Sequence, residues 1–173
     1  MAMNATTLLN GLKAITPGIS EADAITGWGI AYRNYMKESE VLTIKPLSDS
    51  VLASAKSAME TALVGISSPK TALAAATMIV TAITAFWTTA LAAGATVWVT
   101  TPPLTPLPVV LPTALLTPTP VINSLAAVLI ANAATPGITK DAAYTAIVGI
   151  LHPAGAGGTL TQSSVPPVVQ PVM

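Results

Sequence analysis

Apolar side chains recur at helical spacing through most of the chain. Leu52, Ala55, Met59 and Leu63 fall three or four positions apart, which predicts a helix with one buried face, opened by Ser48 or Ser50. Ile25, Trp28, Tyr32, Tyr35 and Met36 form a second such stripe in "AITGWGIAYRNYM". That stripe reads as core packing or as a docking face for a neighbouring subunit, because aromatic and Met side chains are enriched in interfaces. A third helix is expected from about Lys70 to Ala93, opened by Ser68 with Pro69 in its first turn and stopped at Gly94.

Turn signals divide these helices into hairpins. "TPGISEADAIT" at Thr16–Thr26 recurs as "TPGITKDAAYT" at Thr135–Thr145, with six identical positions. In each copy Pro and Gly close one helix, and Ser20 or Thr139 caps the next with an acidic residue in its first turn. Two helices around a tight turn make an αα-hairpin. Short extended pieces are expected after each hairpin, at "VLTI" (Val41–Ile44), "TVWVTT" (Thr96–Thr101) and "TLTQSSVPPVV" (Thr159–Val169). The fold class is therefore mainly α, with stacked αα-hairpins, a few short β-strands and a Pro-rich extended arm. Residues 1–101 carry helical hairpins with short strands, 102–119 the arm, 120–153 a third helical hairpin, and 154–173 a flexible extended tail.

Pro102, Pro103, Pro106, Pro108, Pro112, Pro118 and Pro120 argue against a helix across the arm, since proline fixes φ and removes a donor. Its other residues are mostly Leu, Val and Thr, whereas solvent linkers are richer in Ser, Gly and charge. It reads as an arm lying along a protein surface or, alternatively, as a linker. Trp98, Val165, Val168 and Val169 join these prolines as candidate contact residues in extended segments, and Trp28, Tyr32, Tyr35, Phe86 and Trp87 as candidate contacts on helices.

Charge sharpens this picture. Charged residues make up 8% of the 173 positions, against roughly 25% in ordinary soluble domains, while 52% are apolar and the formal net charge is zero. No Asp, Glu, Lys or Arg occurs between Lys70 and Lys140, or after Asp141. Such a chain is poorly protected as a free monomer and is expected to be covered by lipid or by other protein. The lipid alternative rests on Thr71–Ala93, whose 23 uncharged residues are long enough to span a bilayer. Only eight of them are strong hydrophobes, however, against nine Ala and six Thr, the composition of a helix buried among small side chains. Val121–Ala134 is too short to span. Scattered Lys and Arg in a neutral chain argue against nucleic acid. The N-terminus lacks the basic and apolar sequence of a secretory signal.

Candidate chemistry is sparse. The chain has no Cys, which excludes disulfides and thiol catalysis. His152 is the sole histidine and stands beside Pro153 at an expected helix end, where it favours the helix dipole or helps close the fold. One His without Cys or a carboxylate cluster does not make a usual metal site. "AGAGG" lacks the spacing of a phosphate loop, and Ser163 and Ser164 have no base partner visible in the sequence. No catalytic, cofactor or metal residue is expected, and no enzymatic activity.

The order "LLNGLKAI", "AITGWGIAYRNYM", "VLTI", "AITAFW", "VWVTTPP", a Pro-rich bridge and "AAYTAIVGILH" before a Thr/Val/Pro tail resembles small structural proteins of tailed bacteriophages and phage tail-like particles. The resemblance covers most of the chain and has no catalytic motif. It implies a multicopy virion subunit of the tail, baseplate or neck, whose partners are copies of itself and other particle proteins. The alternative expectation is a holin-like or pore-forming protein of a bacterial membrane, using the 71–93 helix.

Overall fold

Residues 4–16, 18–37, 49–68, 71–97, 113–156, 159–162 and 168–171 are described by a computed structural model. They form α1 (Ala5–Lys13), α2 (Glu21–Lys37), α3 (Asp49–Ala62), α4 (Ala72–Val97), α5 (Thr113–Leu116), α6 (Thr119–Ala134), α7 (Lys140–Ala156), β1 (Thr159–Gln162) and β2 (Val168–Pro171). The chain is mainly α, in helical hairpins, as its periodicity predicts.

Local chemistry sets the helix ends. Asn4 opens α1 by accepting the Thr6 N–H at 2.9 Å. Ser20 caps α2 by accepting the Asp23 N–H at 3.2 Å, while its hydroxyl donates to the Asp23 carboxylate at 2.7 Å. Thr139 opens α7 in the same way, through the Ala142 N–H at 3.2 Å. The three hairpin turns, α1–α2, α3–α4 and α6–α7, contain Gly18, Gly65 and Gly137 with φ of 78°, 88° and 72°. That left-handed backbone favours glycine and lets the chain leave one helix and enter the next within a few residues.

The helices close into a ring. α1 packs on α2, α2 on α3, α3 on α4, α4 on α6, α6 on α7, and α7 returns to α1, while α5 sits against α6 and α7. Each hairpin therefore touches both others. The predicted stripe Leu52, Ala55, Met59 and Leu63 is fully buried in the interior, together with Leu8, Leu12, Tyr32, Tyr35, Phe86, Trp87, Leu125 and Leu151. Each buried large apolar side chain contributes about 1.5–3 kcal/mol, so the packed interior dominates the stability of the ring.

Several boundaries differ from the sequence expectation. α4 opens at Thr71, whose hydroxyl accepts the Ala74 N–H at 3.1 Å, rather than at Ser68. It also continues through Gly94 to Val97, which places Thr96 and Val97 in a helix instead of a strand; glycine weakens a helix by about 1 kcal/mol without ending it. Pro118 and Pro120 flank the first turn of α6 instead of extending the arm, because N–H groups there have no intrahelical acceptor to lose. α7 carries Pro153 inside it and runs on to Ala156. Within the tail, β1 and β2 pair antiparallel, Thr159 opposite Pro171 and Gln162 opposite Val168. The expected strand 41–44 and arm residues 102–112 lie outside the described residues.

Candidate functional site

The sole histidine joins one of two hydrogen bonds that link aromatic side chains across helices. Tyr35 on α2 and His152 on α7 meet with Oη and Nδ1 2.7 Å apart and their rings edge to face at 5.8 Å. Tyr32, one turn before Tyr35, accepts a hydrogen bond from Trp87 Nε1 on α4 at 3.1 Å. Tyr32 also meets Tyr35 and Phe86 edge to face, with centroids 5.5 and 5.1 Å apart. Burial pushes the phenol groups of both Tyr32 and Tyr35 well above the usual tyrosine value, so both remain neutral hydroxyls. Three helices from three different hairpins are thus joined by two hydrogen bonds that satisfy the polar tips of large aromatic side chains. The arrangement holds the interior in one register and leaves His152 Nδ1 occupied. No group of three or more His, Cys, Asp or Glu side chains able to hold a metal occurs among the described residues.

The candidate contact residues separate by placement. Tyr32, Tyr35, Phe86 and Trp87 are at most 1% exposed, so they serve the core and offer nothing to a partner in this conformation. Trp28 is partly buried against the same core. Val168 and Val169 lie in β2, opposite Gln162 and Thr161. Trp98, Pro102, Pro103, Pro106, Pro108, Pro112 and Val165 lie outside the described residues.

A different surface stands out on the outside of the ring. Every charged side chain described belongs to α1, α2, α3 or α7, while α4, α5 and α6 carry none. Adjacent α4 and α6 therefore present one continuous uncharged face. On it Leu73 is 52% exposed, Leu116 55% and Ile130 60%. Small residues fill the rest, including exposed Ala74, Thr77, Thr81, Thr88, Ala127 and Ala131. The hydroxyls of Thr77, Thr84 and Thr88 donate to the carbonyls of Leu73, Val80 and Thr84, each at 2.8 Å, so their one hydrogen is turned back onto the helix. An open groove of about 480 Å³ runs along the same side, between Val80, Thr84 and Thr88 of α4 and Leu115, Pro118 and Ile122. The 69 consecutive uncharged residues between Lys70 and Lys140 signal this face in the sequence. Their convergence on adjacent helices has no local signature.

α4 also contains a 21-residue stretch, Ala72–Ala92, with mean hydropathy 1.6 and no charge, long enough to cross a membrane. In the ring 39% of its most apolar window is buried against neighbouring helices. No family model matches the chain, and neither the curated proteins nor the solved structures compared with it give a match.

Proposed function

We propose that this protein is a non-enzymatic structural subunit of a large protein assembly, held in place through the uncharged α4–α6 side of the ring. The observation that carries the reading is the segregation of charge. A surface built for water mixes roughly a quarter to a third of charged residues over its whole extent, and here the described residues of α4, α5 and α6 include none. Burial of that side in a neighbour costs no desolvation of charge. A tailed-phage virion or tail-like particle is the assembly whose proteins the chain resembles in its order of segments. Its partners there are copies of itself and other particle proteins, without nucleic acid. Density-gradient fractionation of the native source, with mass spectrometry of each fraction, tests the reading. Co-migration with particles at fixed stoichiometry is the expected result, and recovery in alkali-resistant membranes overturns it.

The second reading, a membrane-active protein, has one observation in its favour: the length and apolarity of Ala72–Ala92. Against it, the outward positions of that stretch are largely Ala and Thr, which gain little from lipid. Partition of the isolated protein into detergent is the result that would favour it.

A further inference from the structure

We infer that the uncharged face of α4, α5 and α6 is a self-association surface whose occupant is the same face of a second copy of this chain. The inference rests on the structural-subunit reading and adds to it a named surface and a named partner.

Three observations lead there. The first is charge. When a surface pairs with itself across a two-fold axis, a charged residue beside the axis meets its own mate, and like charges oppose one another there. A face with no charge among its described residues can take the axis anywhere without that penalty. The second is size. Ala72–Ala92 rises about 31 Å and α6 about 24 Å, and helices pack 8–10 Å apart. With α5, which sits against α6, the footprint is roughly 500–600 Å², close to the about 600 Å² per partner at which specific interfaces begin. The third is relief. Leu73, Leu116 and Ile130 protrude, while the groove lined by Val80, Thr84, Thr88, Leu115 and Ile122 is concave, so one face offers both knobs and a hole.

Residue size separates this occupant from lipid. Exposed Ala74, Thr77, Thr81, Thr88, Ala127 and Ala131 bring little hydrocarbon to a bilayer. They do allow two helix backbones to approach closely, where dispersion contacts accumulate.

A charge-exchange experiment on the full chain tests the inference. One variant carries Thr81→Lys with Ala127→Lys, the other Thr81→Glu with Ala127→Glu; both sites are exposed, so the ring is left intact. Sedimentation equilibrium is run on each at about 1–100 µM, the range in which an interface of this size is read. The unsubstituted chain is expected to self-associate. Each variant alone is expected to lose at least tenfold in affinity with an unchanged circular dichroism spectrum. An equimolar mixture of the two is expected to regain association, because the opposed faces then carry opposite charge whichever helices meet. A chain monomeric throughout that range overturns the inference, as does association indifferent to the Lys pair. Flotation of the isolated protein with uncharged phosphatidylcholine vesicles, lost in the Lys variant, also overturns it by making lipid the occupant. Failure here and failure of the structural reading are distinguishable: a monomer that still co-migrates with particles removes only the self-pairing.

Discussion

Gly11 marks the closest approach in the first hairpin. A Cβ built there would stand 2.7 Å from the Ala31 Cβ and 2.8 Å from its Cα, and a backbone atom has nowhere to move. Gly11→Ala is therefore expected to push α1 away from α2 and destabilise the fold by about 1–3 kcal/mol, read as a lower urea midpoint with unchanged slope. The interior hydrogen bonds give a second test at the same scale. Tyr35→Phe removes the partner of His152 Nδ1 and His152→Phe removes the partner of Tyr35 Oη, each leaving a polar atom unsatisfied. Each single change is expected to cost about 1–3 kcal/mol and the double change less than their sum, so a double-mutant cycle should return a coupling of about 1 kcal/mol. Additive losses would show that the two side chains do not interact in solution.

Between helices, the two copies of the turn motif show how one position takes opposite charges. Glu21 and Lys140 occupy matching places, each opening the second helix of its hairpin. Glu21 suits its own helix dipole and also reaches the α3–α4 turn, where its carboxylate accepts the Gly65 N–H at 2.5 Å and the Ser67 hydroxyl. Lys140 opposes its own dipole. Its ammonium is spent instead on the carbonyls of Lys13, at 2.6 Å, and Ile15 at the end of α1. Each clamp ties one hairpin to the turn of the next, and the neighbour selects the charge.

The Ser67 hydroxyl first, and the Gly65 N–H second, hold the Glu21 carboxyl below its ordinary value of 4.5. A carboxyl depressed in the folded state adds stability above its unfolded value and loses it as pH falls through the folded value. Wild-type stability should thus decline below about pH 4.5, partly through Glu21 and partly through Asp49, which Lys37 and then Arg33 hold down in the same direction. Glu21→Gln is expected to flatten that decline without abolishing it, measured as urea midpoints between about pH 6 and 3. An unchanged pH profile would detach Glu21 from the acid response. The turn motifs, caps and buried stripes behind these contacts are legible in the sequence because each is local: a glycine, a hydroxyl three residues before its donor, apolar residues one turn apart. The partners are not. Nothing near Glu21 names Gly65, and nothing near His152 names Tyr35, since those pairings depend on which hairpin lies next to which.

The ring itself is the least legible feature and the most consequential. In an open stack, a terminal hairpin touches one neighbour and its loss is felt locally. Here α1 touches α7 as well as α2, and the Lys13–Asp141 ion pair at 3.0 Å spans the α1–α7 contact. Leu12 is fully buried on α1, next to Lys13 of that ion pair, so Leu12→Ala leaves a cavity on the helix that closes the ring and is expected to cost about 2–5 kcal/mol. Where that cost is felt distinguishes the two architectures. In a closed ring, native-state hydrogen exchange should show α7, around Ile147 and Val148, losing protection together with α1 and α2, although some 135 residues of sequence separate the substitution from those amides. Protection lost in α1 and α2 alone, with α7 unchanged, would mean that the hairpins form an open stack. The same seam bears on assembly: a ring that opens at α1 releases α7, which packs on α6, and so loosens one border of the uncharged face. Leu12→Ala is thus expected to weaken self-association although it lies outside that face, and sedimentation equilibrium beside the exchange data would join the two losses to one event.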